Sequence, residues 1–192
     1  MQARYDDDIW EAVPPDSGTP PAHLARFVRG LAPARDALDL GCGDGRLTRE
    51  LSTERLTAAD VSGVALERAR ERLRAVSLVQ LGLDAPLPFA DTSFDLVLCA
   101  ETLEHVRDVQ GLLSEARRVL RPGGTLALTT PAHGRATAAR ALILGWERVL
   151  DPLSPHLRFF TRGSLRRLTT QMGFEVRSLE RERGTLLLMA TR

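Results

Sequence analysis

The chain has 192 residues, of which 43% are apolar and 27% charged, and its formal net charge is +1. This length and apolar content suit one α/β domain with its own hydrophobic core. The near-zero net charge excludes a bulk electrostatic attraction to nucleic acid or to an anionic membrane. The first eight residues are acidic, unlike a secretory signal peptide, and two cysteines, Cys42 and Cys99, suit a reducing compartment. We therefore expect a cytoplasmic protein.

Residues 1 to 21 predict an N-terminal arm or lid, and residues 22 to 192 predict a single domain. The arm combines Tyr5, Ile9 and Trp10 with three consecutive aspartates and four prolines. It holds too few apolar residues for a core of its own, so these three side chains offset the entropy lost on ordering only if they cover another surface. We expect the arm to close over the carboxyl edge of the sheet predicted below.

A glycine-rich turn follows the first predicted strand, at 37 to 40, and a helix is predicted next at 46 to 51. This order of elements opens a nucleotide-binding βαβ unit. The third glycine, Gly45, comes one residue earlier than in the dinucleotide fingerprint. Two acids, Asp39 at the strand end and Asp44 in the turn, would repel a pyrophosphate. The turn therefore favours a ligand with a cationic amino-acid portion and a ribose, and S-adenosylmethionine (SAM) has both.

Acidic side chains end the next three predicted strands. Asp60 follows the strand at 56 to 59 and lies 19 residues after Gly41, where an acid accepts hydrogen bonds from ribose hydroxyls. Asp84 follows a third strand that begins at 79, and can accept from the exocyclic amine of an adenine. Glu101 ends an apolar strand at 94 to 101, which is typical of a buried parallel strand.

The remaining elements complete an α/β fold. Helices are predicted at 23 to 31, 64 to 74, 103 to 120, 136 to 150 and 164 to 172, with a fifth strand at 125 to 130. Two strands, at 174 to 180 and 185 to 191, are separated by a short turn and predict a hairpin. We expect a three-layer, Rossmann-like, seven-stranded sheet that is mostly parallel and ends in a C-terminal antiparallel hairpin.

Taken together, four segments resemble the small class I SAM-dependent methyltransferases, type 11-like. They are DLGCGDG at 39 to 45, AADVS at 58 to 62, LGLDAPLPFADTSFDLVLCAETLEHV at 81 to 106 and VLRPGG at 119 to 124. The resemblance implies SAM as the cofactor. It assigns cofactor binding to Asp39, Gly41, Cys42, Gly43, Asp60, Val61, Asp84, Ala85 and Glu101.

Three histidines after the fourth and fifth strands are candidate catalytic residues: His105, His133 and His156. Methyl transfer from a sulfonium needs mainly alignment and exclusion of water, and a base only when the acceptor is a hydroxyl or a protonated amine. Glu101, Glu104 and His105 have the spacing of one helix face, where they would chelate a divalent cation, as in some quinone O-methyltransferases that the segment resembles. The alternative is that Glu101 lines the cofactor pocket and His105 packs beside it. We adopt this alternative and expect no metal.

The predicted function is transfer of the SAM methyl group to an oxygen or nitrogen of a small-molecule acceptor. We expect a monomer or homodimer with no nucleic-acid and no membrane partner. A protein or RNA methyltransferase and a non-catalytic SAM-binding subunit remain alternatives. RNA is disfavoured because the Asn/Asp-Pro-Pro-aromatic motif of amino-group methylation is replaced by Thr-Thr-Pro-Ala at 129 to 132.

Overall fold

A computed structural model of the protein describes residues 2–14, 18–149 and 154–192. It contains a seven-stranded sheet in the order β3-β2-β1-β4-β5-β7-β6. Strands β1 to β5 pair in parallel, whereas β7 pairs antiparallel with both β5 and β6. This confirms the predicted fold class, including the C-terminal hairpin. The strands are β1 (Ala34–Leu40), β2 (Thr53–Asp60), β3 (Ser77–Gln80), β4 (Phe94–Ala100), β5 (Leu120–Pro131), β6 (Glu175–Glu182) and β7 (Thr185–Thr191).

Helices cover both faces of the sheet, because successive side chains of a buried strand point to opposite layers. Cys99 of β4 packs in one cluster with Leu113 and Leu165, and Leu98 of β4 packs in another with Val28. In the described part of the chain, no helix is long and apolar enough to cross a bilayer. The helices are α1 (Gln2–Ala12), α2 (Ala22–Arg29), α3 (Gly63–Arg72), α4 (Val109–Val119), α5 (Arg135–Leu144), α6 (Trp146–Val149) and α7 (Arg162–Gln171).

The prediction of a helix at 46 to 51 is wrong, because the segment contains one 3-10 turn, Thr48–Glu50. Side chains of this segment form hydrogen bonds with acids at the end of β1 and in the glycine turn instead. The Thr48 hydroxyl donates to the Asp39 carboxylate at 2.6 Å, and Arg46 Nε donates to Asp44 at 2.9 Å. Such local side-chain bonds compete with helix formation.

The helix predicted at 103 to 120 is divided into a 3-10 turn, Leu103–His105, and α4. The Glu104 carbonyl accepts from the backbone N–H groups of Leu157 and Arg158, at 2.8 and 3.0 Å. It is therefore engaged by a distant segment rather than by the next helical turn. Asp108 then starts α4 as its N-cap by accepting from the Gly111 N–H.

Two other predicted boundaries also move. The helix predicted at 136 to 150 ends at Gly145, where φ is +91°, and α6 follows; Leu150 and the predicted break at 151 to 152 lie outside the described residues. Strand β3 ends at Gln80 instead of continuing to Asp84, because the Ala85 N–H closes a turn onto the Gly82 carbonyl at 3.3 Å. Asp84 therefore lies in a loop.

Candidate functional site

The glycine turn after β1 is held against β2 by backbone hydrogen bonds. The N–H groups of Gly41 and Cys42 donate to the Ala59 carbonyl at 2.8 and 3.1 Å. Gly41 has φ +78°, and a Cβ there would lie 2.3 Å from Cγ2 of Thr102. Only glycine satisfies both conditions. The turn therefore offers bare backbone at the carboxyl edge of the sheet, where ligands of such sheets bind.

Asp60 ends β2 beside this turn. Its carboxylate accepts from the Gly43 N–H at 2.8 Å and from the Ser62 N–H at 2.9 Å. Burial raises the pKa of Asp60, while these two backbone donors oppose that rise. A carboxylate has about four lone-pair sites, so both oxygens retain capacity to accept from a ligand such as a ribose.

A cavity of about 560 Å³ opens at this edge and joins the ends of β1, β2 and β4. This volume lies within the roughly 300–1,000 Å³ of small-molecule pockets. The cavity connects the region of Asp60 to that of His105. Predicted residues on its wall are Gly41, Gly43, Asp60, Val61, Asp84, Ala85, Glu101 and His105.

Asp39 and Cys42, both predicted to bind the cofactor, do not belong to the cavity wall. Asp39 is 2% exposed and accepts from the Thr48 hydroxyl. Burial, with a smaller contribution from Asp60, raises the pKa of Asp39 to about 7. Cys42 is also buried, and burial raises the pKa of its thiol, which keeps the thiol neutral. In this structure both residues support the turn from within the protein.

Asp84 and Ala85 lie in the loop after β3, on the wall of the same cavity. Asp84 has φ +53° and forms an ion pair with Arg107, with 3.3 Å between Oδ2 and Nη2. Both partners are about half exposed, so the pair contributes little to stability. Its position on the cavity wall leaves Asp84 available to a ligand, as predicted for the adenine amine.

The prediction that Glu101, Glu104 and His105 share one helix face is wrong. Glu101 follows β4 with φ +50°, and its carboxylate accepts from the Thr129 hydroxyl at 2.9 Å. Glu104 is 1% exposed and accepts from the Thr130 hydroxyl at 3.0 Å. Burial and the nearby Glu101 raise the pKa of Glu104 to about 8. Its other oxygen, Oε1, has no hydrogen-bond partner among the described residues.

His105 and His156 lie together beyond the carboxyl end of β4. Their ring centroids are 4.9 Å apart. Nδ1 of His105 lies 3.0 Å from the Pro155 carbonyl, and because a carbonyl only accepts, this contact assigns the proton to Nδ1 and leaves the Nε2 lone pair free. Burial lowers the pKa of both imidazoles, and His105 lowers that of His156 further. Both rings are therefore neutral near pH 7.

His133 follows β5 on the same side of the sheet. Its ring lies edge-on to Phe159, with centroids 4.9 Å apart. Both ring nitrogens are buried and have no hydrogen-bond partner in the described part of the chain. Burial and the nearby His156 lower the pKa of His133. The three predicted histidines thus share one region, although only His105 lies on the wall of the large cavity.

One group of side chains has the composition of a cation site: Glu104, His105 and His156, whose ligand atoms all lie within 4.8 Å of one another. His156 takes the place that the sequence pattern gave to Glu101. Nε2 of His105 is 3.9 Å from Oε1 of Glu104. The expectation that no metal is bound stays a prediction.

The N-terminal arm, which includes α1, contributes residues that the sequence pattern did not assign to the site. Asp6 and Val13 line the cavity together with Ile9 and Trp10, the two apolar residues expected to cover this edge. Arg107 lines it as well. The run of three aspartates at 6 to 8 was the available signal for Asp6, but periodicity alone did not predict a helix in this arm.

Comparison with known proteins agrees with this architecture. A family model described as a methyltransferase domain matches residues 38–128. The solved structure of an S-adenosylmethionine-dependent methyltransferase from Mesorhizobium loti superposes with a TM-score of 0.68 at 20% identity, covering 95% of this chain and 100% of that one. At this identity the likeness shows the fold.

Sequence relatives extend the agreement. The chain is 35% identical over 113 residues to a demethylmenaquinone methyltransferase of Tropheryma whipplei, which covers 57% of this chain and 47% of the relative. It is 35% identical over 139 residues to a ubiquinone biosynthesis O-methyltransferase of Parvibaculum lavamentivorans, covering 65% and 54%. The chain spans about half the length of these relatives. With the glycine turn, Asp60 and the cavity in place, the chain belongs to the class I methyltransferase family, whose cofactor is SAM.

Proposed function

We propose that this protein transfers the methyl group of SAM to an oxygen or nitrogen of a small-molecule acceptor. The observation that carries the proposal is the single cavity that joins Gly41, Gly43 and Asp60 to Glu101 and His105. One end has the backbone and carboxylate that suit a nucleoside with an amino-acid tail. The other end has a neutral imidazole, which suits proton removal from an acceptor.

The residues of the cofactor end fit SAM by shape and by charge. Gly41 and Gly43 lie on the cavity wall, where their backbone would meet the amino-acid portion. Asp60 would accept from the ribose hydroxyls, and Asp84 with the Ala85 N–H would meet the adenine edge. Glu101 lines the same cavity, and an acidic residue there suits a ligand that carries positive charge.

SAM supplies an activated methyl group when bound, so the protein contributes alignment, exclusion of water and proton transfer. His105 is our candidate base, because its Nε2 lone pair is free and its ring lies on the cavity wall. The Pro155 carbonyl would hold the Nδ1 proton in place while Nε2 takes a proton from an acceptor hydroxyl. His133 and His156 would bind polar groups of the acceptor next to that base.

A small-molecule acceptor is favoured over protein or RNA by the relatives, two of which are named for quinone biosynthesis. The neutral histidines and the buried Glu104 offer hydrogen bonds rather than a basic surface. Phe159 and Leu157 are 42% and 47% exposed beside this region, which suits an acceptor with an apolar part.

Transfer of a labelled methyl group from SAM to a panel of acceptors tests the proposal. The panel should hold phenols and quinols, sugars, amines, a protein extract and total RNA. We expect label in a small molecule and loss of label with Asp60→Ala. Label found only in protein or RNA would show that the acceptor is a macromolecule and would refute the small-molecule class. Binding of the product S-adenosylhomocysteine (SAH) without any transfer would indicate a non-catalytic SAM-binding subunit.

A further inference from the structure

Hydrogen bonds anchor the N-terminal arm to α3 at two places. Oδ1 of Asp7 accepts from the Ser62 hydroxyl at 2.6 Å and lies 3.3 Å from the Val64 N–H. Both donors belong to the N-terminus of α3, where the helix dipole favours a negative charge. Farther along, Nη1 of Arg68 donates to the Val13 carbonyl at 2.8 Å. Asp7 is thus the acidic side chain that ties α1 to the domain at this point.

The same anchor leads directly to the predicted ribose carboxylate. Ser62, whose hydroxyl donates to Asp7, also donates its backbone N–H to Asp60. Asp60 in turn accepts from the Gly43 N–H. The Ser62 hydroxyl oxygen also accepts from the Ala65 N–H at 3.1 Å and so caps α3. Asp7, Ser62, Asp60 and Gly43 therefore form one continuous chain of hydrogen bonds from the arm to the glycine turn.

A second contact joins α1 to that turn. A Cβ on Gly43 would lie 2.5 Å from Cζ2 of Trp10, so the indole rests directly on the glycine backbone. With the indole in this place the cavity still measures about 560 Å³. Helix α1 is therefore a wall of the cavity rather than a plug that fills it. Docking of α1 and filling of the cavity are compatible.

We propose that Asp7 is a positioning residue that docks α1 over the bound cofactor, so that docking of the arm and cofactor binding strengthen each other. The inference rests on the proposed function insofar as it takes SAM or SAH as the occupant of the cavity. Because coupling between two equilibria is reciprocal, releasing α1 weakens cofactor binding, and the cofactor in turn protects α1 from opening. Asp7 itself acts through Ser62 and touches neither the cavity wall nor the reacting atoms.

Calorimetric titration with SAH compares wild type, Asp7→Ala and Asp8→Ala. Asp8 is exposed on the same helix, so its variant removes the same charge and makes the same change in helix propensity. We expect Asp7→Ala to weaken SAH binding by about five- to tenfold, the effect of losing a partly exposed hydrogen bond to a carboxylate. Asp8→Ala should stay within about twofold of wild type.

Hydrogen exchange separates docking from simple stability. In wild type, SAH should slow amide exchange across residues 2 to 12, and in Asp7→Ala this protection should be lost while exchange in the central strands is unchanged. A double mutant with Ser62→Ala should bind SAH no more weakly than Ser62→Ala alone, because both changes break the same link.

Three results would overturn the inference. They are wild-type affinity in Asp7→Ala, an equal loss in Asp8→Ala, and SAH-dependent protection of α1 that survives in Asp7→Ala. Failure of wild type to bind SAH at all would instead refute the proposed function, which this docking presupposes, and the two failures are therefore distinguished by the wild-type titration.

Discussion

The cofactor end and the acceptor end of the cavity differ in how their polar groups are satisfied. At the cofactor end, both oxygens of Asp60 are already held by backbone donors. At the acceptor end, Oε1 of Glu104 and both ring nitrogens of His133 are buried without a partner among the described residues. Buried polar groups are normally paired. The first end is thus preorganised by backbone donors, whereas these polar atoms next to the second end are held by no described residue.

This difference assigns different roles to the two ends. A preorganised end binds one invariant ligand with little rearrangement, as suits a cofactor. An incomplete end loses free energy through its unpaired groups and recovers it on binding a ligand that supplies them. Affinity for the cofactor should therefore come from the glycine turn and Asp60, and selectivity for the acceptor from the side of the cavity that His105 lines.

The most damaging change to the cofactor end should be Gly41→Ala. The new Cβ meets Thr102 and the backbone at φ +78° becomes strained, so SAH affinity should fall by more than about a hundredfold. The matched control is Gly123→Ala, which has the same φ of +78° but no atom within 4 Å of the added Cβ. Titration of both variants with SAH, after checking thermal unfolding, measures the clash apart from the strain. Equal SAH affinities of the two variants would contradict the predicted clash with Thr102.

His105→Gln probes the acceptor end and should lower turnover by about a hundredfold, the usual contribution of a general base, while SAH affinity is retained. His133→Gln should cost less, because its ring is absent from the cavity wall. Burial lowers the pKa of His105 below its ordinary value of 6.5. Since the base must be neutral, wild-type turnover should fall as the pH drops through a value below 6.5. A larger loss in His133→Gln would transfer the role of base to His133.

Asp60→Ala should weaken SAH by about 1–3 kcal/mol, the value of a charge-assisted hydrogen bond. Its effect should stay below that of Gly41→Ala, because the carboxylate is one contact whereas the turn shapes the whole site. Calorimetry at several salt concentrations measures the loss of SAH affinity in Asp60→Ala. Wild-type affinity in the variant would exclude Asp60 from the ribose site.

The two ends of the cavity also differ in how well the sequence alone predicts them. The glycine turn, the strand that ends at Asp60 and the mostly parallel sheet with its hairpin depend on local motifs and on strand periodicity, so they were predictable and the fold class is confirmed. The acceptor end depends on contacts between distant segments, such as the Glu104 carbonyl with residues 157 and 158. Helical spacing of Glu101, Glu104 and His105 could not reveal that this contact ends the helix, or that His156 would replace Glu101.

Glu104→Gln should change stability in a pH-dependent way. The folded-state pKa of Glu104 is raised to about 8 from an ordinary 4.5. Between these values the unfolded chain releases a proton that the folded chain keeps, so wild-type stability decreases as the pH rises through this window. Glutamine cannot ionise, and the variant should therefore match wild type near pH 4 and exceed it at pH 8 by about 4 kcal/mol.

The opposite sign is expected for Glu115→Gln. Hydrogen bonds from Arg118 lower the pKa of Glu115, so its ionised form stabilises the fold above its ordinary pKa, and the variant should be less stable at pH 8. Urea unfolding of both variants at pH 4 and pH 8 compares them directly. A loss of stability at pH 8 in Glu104→Gln would mean that Glu104 is ionised in the folded protein.

The smallest effect is expected from removal of metal ions. The group of Glu104, His105 and His156 has ligand atoms within 4.8 Å of one another, but a metal needs an ionised carboxylate, and burial keeps the pKa of Glu104 near 8. We therefore expect chelator-treated protein to keep its rate of methyl transfer. Loss of activity with chelator and its restoration by one divalent ion would together establish a metal at the acceptor end.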